Sequence, residues 1–71
     1  NILELMRQRL DALLTERNAV DDQANALFDA MAAEQRSEPT EAEAAQLAEL
    51  RAEVRRIDEQ RAQTEQRIAE I

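Results

Sequence analysis

Cysteine, histidine, lysine, glycine, tryptophan and tyrosine are all missing from these 71 residues, which hold one proline and one aromatic, Phe28. Each absence excludes something. Without Cys there is no disulfide staple and no thiolate metal site. Without Gly, tight turns, phosphate-cradling loops and β-hairpins are not expected, because they use backbone at positive φ. No apolar run approaches the roughly 20 residues of a membrane span, and no signal peptide is visible. Positive charge is also short: nine Arg stand against sixteen acidic residues, a net −7. Residues 1–36 hold four Arg and seven acids, and residues 37–71 hold five and nine, so neither half is a basic patch. Nucleic-acid binding needs clustered cations to displace counterions and is not expected.

Catalysis and metal binding fare no better. With no His or Cys, and Ser37 alone between the helical stretches, no nucleophile has a base beside it. Carboxylate pairs such as Asp21-Asp22 and Asp58-Glu59 are present. General acid–base work needs such groups in a low-dielectric pocket, and solvated helix faces account for them. Glu49 and Glu53 share a helical face, but no Glu-x-x-His pair accompanies them. No catalytic residue, metal ligand or cofactor is assigned, and the chain is not expected to be an enzyme.

What is present is Ala, Glu, Arg, Gln and Leu, the mix of a long helix or coiled coil. Two tracks step by three and four residues. The first is Leu3, Met6, Leu10, Leu13, Arg17, Val20, Ala24, Leu27 and Met31; the second is Leu47, Leu50, Val54, Ile57, Arg61, Thr64, Ile68 and Ile71. Folded antiparallel they pair layer by layer: Leu27 with Leu50, Ala24 with Val54, Val20 with Ile57, Arg17 with Arg61, Leu13 with Thr64, Leu10 with Ile68, Met6 with Ile71. The numbers in each pair add to 77 or 78, the constancy that an antiparallel hairpin requires.

The expected fold is therefore all-α: an antiparallel two-helix coiled-coil hairpin with helices at about 2–36 and 41–71, one small unit over 1–71. Asn1 with Glu4 can cap the first helix. Pro39 stops that helix from continuing. Thr40 and Glu43 then form a Thr-x-x-Glu capping box for the second. Such a rod is roughly 50 Å long at 1.5 Å per residue. It has almost no room for a pocket, so function must lie in surfaces. Conformational entropy cancels most of the seam's hydrophobic gain, and a lone hairpin should be marginal.

Two features go beyond the fold. Arg17 and Arg61 occupy one seam layer, with Asp21 four residues after Arg17 and Asp58 three before Arg61. One reading is a four-member charge cluster that fixes register. The other is that both Arg heads snorkel to water. Second, Ile2, Leu5, Leu14 and Phe28 are apolar but lie off the track, while the second helix has nothing comparable. Scattered exposed apolar residues are ordinary. The preferred reading is a self-association surface on the first helix, because a marginal hairpin gains from it.

The motifs also have a family look. Leu5-Met-Arg-Gln-Arg-Leu-Asp-Ala-Leu13 opens a long Ala/Glu-rich helix, and Glu38-Pro39-Thr40-Glu41-Ala42-Glu43 makes the turn. Leu47-x-x-Leu50-x-x-Glu53-Val54-x-x-Ile57-Asp58 and Arg67-Ile68 follow. This resembles the N-terminal scaffolding region, the delta domain, of tailed-phage major capsid proteins with the Hong Kong 97-type fold. In that family the turn often carries Leu-Thr-x-Glu-Glu; here Pro39 replaces the Leu and Ala42 interrupts the acidic pair. The resemblance implies the leader of a longer capsid chain, lying inside the procapsid and assembled in the host cytoplasm. Its partners would be other copies of itself and a prohead protease that removes it after assembly. The alternative is a generic coiled-coil oligomerisation or partner-binding arm of a cytosolic bacterial protein.

Overall fold

Leucine-rich helices that bury one stripe each must cover it, and here each covers the other's. The computed structural model describes residues 1–71. It contains two helices, α1 (Ile2–Ala33) and α2 (Glu41–Ala69), folded back into a hairpin of 50 × 16 × 14 Å. The radius of gyration is 16.0 Å; a compact chain of this length would have about 11 Å. No helix is long and apolar enough to cross a membrane.

The seam follows the two tracks. None of the nine residues of the first track is fully exposed, nor are the first seven of the second. Leu13, Val20, Leu50 and Ile57 form the buried cluster, with Ala24, Leu27 and Val54 packed against it. Leu13 and Ile57 are completely enclosed, and truncating such a side chain costs about 2–5 kcal/mol. Thr64 is buried as well, and its hydroxyl donates to the Gln60 carbonyl at 2.9 Å. That back-bond satisfies a polar group inside the seam. Burial is incomplete toward the termini, where Leu3, Met6, Leu10 and Ile68 are only half-buried. Ile71 lies beyond α2 and is exposed, so it does not close the Met6 layer.

Both helices stop earlier than the periodicity indicates. α1 ends at Ala33, not Arg36, because Gln35 turns into the left-handed region at φ 54°. The Arg36 N–H then donates to the Met31 carbonyl (2.9 Å) and the Gln35 N–H to that of Ala32 (3.0 Å). These are the two bonds of a Schellman ending, normally built on glycine. A tight turn is thus made without any Gly, contrary to the expectation from composition. α2 ends at Ala69, where the N–H groups of Glu70 and Ile71 tighten onto the carbonyls of Arg67 and Ile68. The connection is seven residues, Glu34 to Thr40, not four. Thr40 closes the capping box as the spacing indicates: its hydroxyl accepts from the Glu43 N–H (3.1 Å), and Glu43 Oε1 accepts from the Thr40 N–H (2.8 Å).

A non-glycine residue in the left-handed well carries a Cβ clash worth roughly 1–2 kcal/mol. Gln35→Gly should therefore stabilise the hairpin by about 0.5–1 kcal/mol, less than the full clash because Gly adds unfolded-state entropy. A rise in the thermal unfolding midpoint by circular dichroism checks this; a fall would show that the Gln35 side chain contributes more than its strain.

Candidate functional site

Seven residues separate successive equivalent positions, so each helix presents two stripes beside the seam, one on each flank of the hairpin. One flank holds Asp21 and Phe28 of α1 with Arg51 and Asp58 of α2. The other holds Arg9 and Glu16 of α1 with Gln60 of α2. The contacts on these flanks differ in kind.

On the first flank, the seam layer of Arg17 and Arg61 is drawn to the aspartates. Arg17 Nε donates to Asp58 Oδ1 at 2.8 Å and Nη2 to Oδ2 at 3.5 Å. Arg17 Nη1 donates to Asp21 Oδ2 at 2.8 Å. Arg61 Nη1 lies 3.7 Å from Asp58 Oδ1. The four side chains are together and partly open to water. Two Arg and two Asp make the layer neutral as a unit. The hydrogen bond from Arg17, with its charge and that of Arg61, holds the Asp58 carboxyl below its usual range. Reciprocally, Asp58 and then Asp21 raise the Arg17 guanidinium further above its usual value.

Toward the turn this flank opens into an apolar groove of about 450 Å³. Val20, Ala24, Leu47, Leu50 and Val54 form its floor, Phe28 and Asp21 one wall, and Arg51 and Arg55 the other; Asp21 is held by Arg17. The groove exists because Ala24 is too small to fill its layer against Val54. A two-helix rod can thus carry a shallow recess, which periodicity alone does not show. Phe28 at 47% and Leu14 at 46% exposure stand on the same stripe, two heptads apart. Ile2 and Leu5 are also exposed. They are not part of that surface: Ile2 is one heptad before Arg9, on the other flank, and Leu5 faces away from the seam. The four off-track residues are therefore two separate patches.

The second flank is closed by polar contacts. Arg56 Nη2 pairs with Glu16, Arg56 Nη1 reaches Gln60 at 3.4 Å, and Arg9 Nη2 donates to Gln60 at 3.0 Å. No apolar recess opens there.

A further cluster was not marked by the sequence motifs. Arg36, just past α1, donates to Glu34 (2.6 Å), to Glu43 through both Nη atoms (2.8 and 3.2 Å) and to the Glu38 carbonyl (3.1 Å). It ties the turn to the first turn of α2. The Glu43 side chain is only 15% exposed. The Arg36 bond, then the Thr40 N–H, lowers its carboxyl to about 2. Glu43, then Glu34, raises the Arg36 guanidinium. The available signal was an Arg seven residues before the capping Glu across a proline turn, Arg36 to Glu43.

With this geometry in view, the chain was compared with known proteins: no family model, no curated protein and no solved structure matches it.

Two outcomes follow. Because the folded Glu43 carboxyl titrates below its ordinary value of 4.5, its stabilisation is present above that value and is lost as pH falls through about 2. The thermal midpoint should drop over that window. Glu43→Gln, which can still accept from Thr40, should flatten the drop; an unchanged slope would show that Arg36 and Glu43 do not pair in solution. Separately, Asp58→Asn should lower the midpoint more than Asp21→Asn, since Asp58 serves both arginines and both helices. High salt should shrink the difference, and equal effects would remove Asp58 as the centre of the layer.

Proposed function

We propose that this chain is an assembly domain that acts by self-association. More specifically, we read it as an internal scaffolding domain of a phage capsid protein, one that promotes capsomer and procapsid assembly and is then removed by proteolysis. The observation that carries the reading is the exposed Leu14 and Phe28 beside an open apolar groove, on a hairpin with only seven buried residues. Little core and an uncovered apolar flank are what a module that finishes its folding in an assembly requires.

Further features support the scaffolding reading. The net charge of −7 would repel DNA entering a shell, so removal before packaging is physically sensible. Shallow contacts repeated over many copies add through multivalency, while single errors still dissociate. In this role the domain performs no catalysis and needs no cofactor; its partners are other copies and a prohead protease, inside the procapsid. The groove favours a second reading, a coiled-coil arm that receives a helix of another protein.

Sedimentation velocity separates the two. Under the first reading the chain sediments above the monomer mass in a concentration-dependent way, and Leu14→Glu with Phe28→Glu returns it to monomer. A wild-type monomer at all concentrations favours the second reading. For the capsid role, deleting residues 1–71 from the full coding sequence should abolish normal shells; normal shells would refute it.

A further inference from the structure

Every residue of the hairpin has a level along the rod, because seam partners add to 77 or 78. Expressed as α1 numbers, Arg51 and Arg55 stand near levels 27 and 23, and Glu65 near level 13. These three side chains lie on the open flank, and none forms an ion pair within the chain. The turn half of the flank is thus apolar and positive, with the groove, Phe28, Arg51 and Arg55. The terminal half presents Leu14 and Glu65, together with Arg7, one heptad before Leu14, and Asp11, four residues after Arg7, whose opposite charges offset each other and leave Glu65 as the net charge. The two halves are complementary to each other, and one molecule cannot bring them together.

We infer that the open flank is the interface with a second copy of this chain, docked antiparallel about a two-fold axis that crosses the cluster of Arg17, Asp21, Asp58 and Arg61 near level 19. The inference rests on the self-association reading and gives it a geometry. The axis lies in the interface, perpendicular to the rods, so α1 stacks on α1 and α2 on α2, each pair antiparallel. Leu14, five levels below the axis, then sits over Ala24, five above it, and enters the groove of the other copy. Glu65 falls between Arg51 and Arg55. Both contacts occur twice, as an isologous interface requires. The neutral Arg–Asp layers meet at the axis.

The alternatives fit less well. In a parallel face-to-face pair, Glu65 falls beside Asp11, a like charge; Arg51 meets Asn25 and Phe28, and Arg55 meets Asp21, whose carboxylate is already held by Arg17. The other flank has its Arg9, Glu16 and Arg56 already engaged within the hairpin. Size also fits: a face 50 Å by 16 Å offers on the order of 800 Å² per copy, the standard share of a stable interface.

The test is a charge exchange. The double variant Arg51→Glu, Arg55→Glu places like charges around Glu65, and Glu65→Arg does the same with opposite sign. Each variant alone should sediment at the mass of one chain. Mixed in equal amounts they should regain twice that mass, because both contact clusters are then attractive. Circular dichroism checks that each variant remains helical. A second measurement needs no charge change, and the absence of native Cys makes it clean. Asn18→Cys lies about 3 Å from its mate along the rod at 1.5 Å per residue and should oxidise to a covalent dimer. Asn25→Cys lies about 18 Å from its own mate by the same rise and should not. A wild-type dimer indifferent to both charge variants, or variants that separate without re-forming on mixing, would overturn the two-fold arrangement while leaving self-association standing. So would an Asn25→Cys that crosslinks as readily as Asn18→Cys. A wild-type monomer throughout would overturn both.

Discussion

The rest of the structure depends on one constraint: a seam only one side chain deep from each helix. In a larger domain a poorly matched layer can be covered by a third element. Here Leu13 and Ile57 have only each other's helix to enclose them, and both reach complete burial. Register is therefore the property on which everything else rests. Capping at Thr40, the length of the connection and the positions of the flanking charges have meaning only in the register that brings Val20 beside Ile57.

The Arg17–Arg61 layer acts on that register more than on raw stability. Its side chains keep contact with water, where ion pairs contribute little because solvent and salt screen them. A displaced pairing is another matter. Slipping α2 by one heptad in either direction would set Arg17 against Val54 or Ile68, and Arg61 against Leu10 or Ala24, with Asp58 carried a full heptad away from Arg17. An arginine pressed into an apolar layer without its carboxylate is strongly unfavourable. The polar layer penalises the wrong registers while costing little in the right one, as single polar residues do in coiled coils.

This explains which parts were legible in the sequence. The three-and-four spacing, the constant pair sum and the Thr40–Glu43 box are local or periodic, so residue order displays them, and both helices appear where the tracks place them. The grouping of Arg17, Asp21, Asp58 and Arg61 follows once register is known. What was hidden depends on three-dimensional fit. Gln35 has no intrinsic liking for positive φ; it is forced there because the Schellman bonds must close before Pro39. Arg36 becomes a clasp only after that turn brings it to Glu43. The groove reflects the volume missing at Ala24, which a pattern of apolar positions counts as filled. The division of Ile2 and Leu5 from Leu14 and Phe28 is again a matter of flank rather than hydrophobicity.

The unequal flanks then bear on assembly. On one side Arg9, Glu16, Arg56 and Gln60 satisfy one another across the helices, so that face gains little from a partner. On the other, the arginines of the seam hold the aspartates inward, which leaves Arg51, Arg55 and Glu65 free and the Ala24 layer uncovered. The same charged layer that fixes register thereby removes negative charge from the middle of the open face. Had Asp21 and Asp58 been unpaired, two copies meeting there would confront four carboxylates. Neutralised from within by Arg17 and Arg61, that zone would not oppose the two-fold pairing proposed above, whose direction the complementary halves on either side would set. The four side chains that hold register inside the hairpin thus also leave the middle of its open face without net charge.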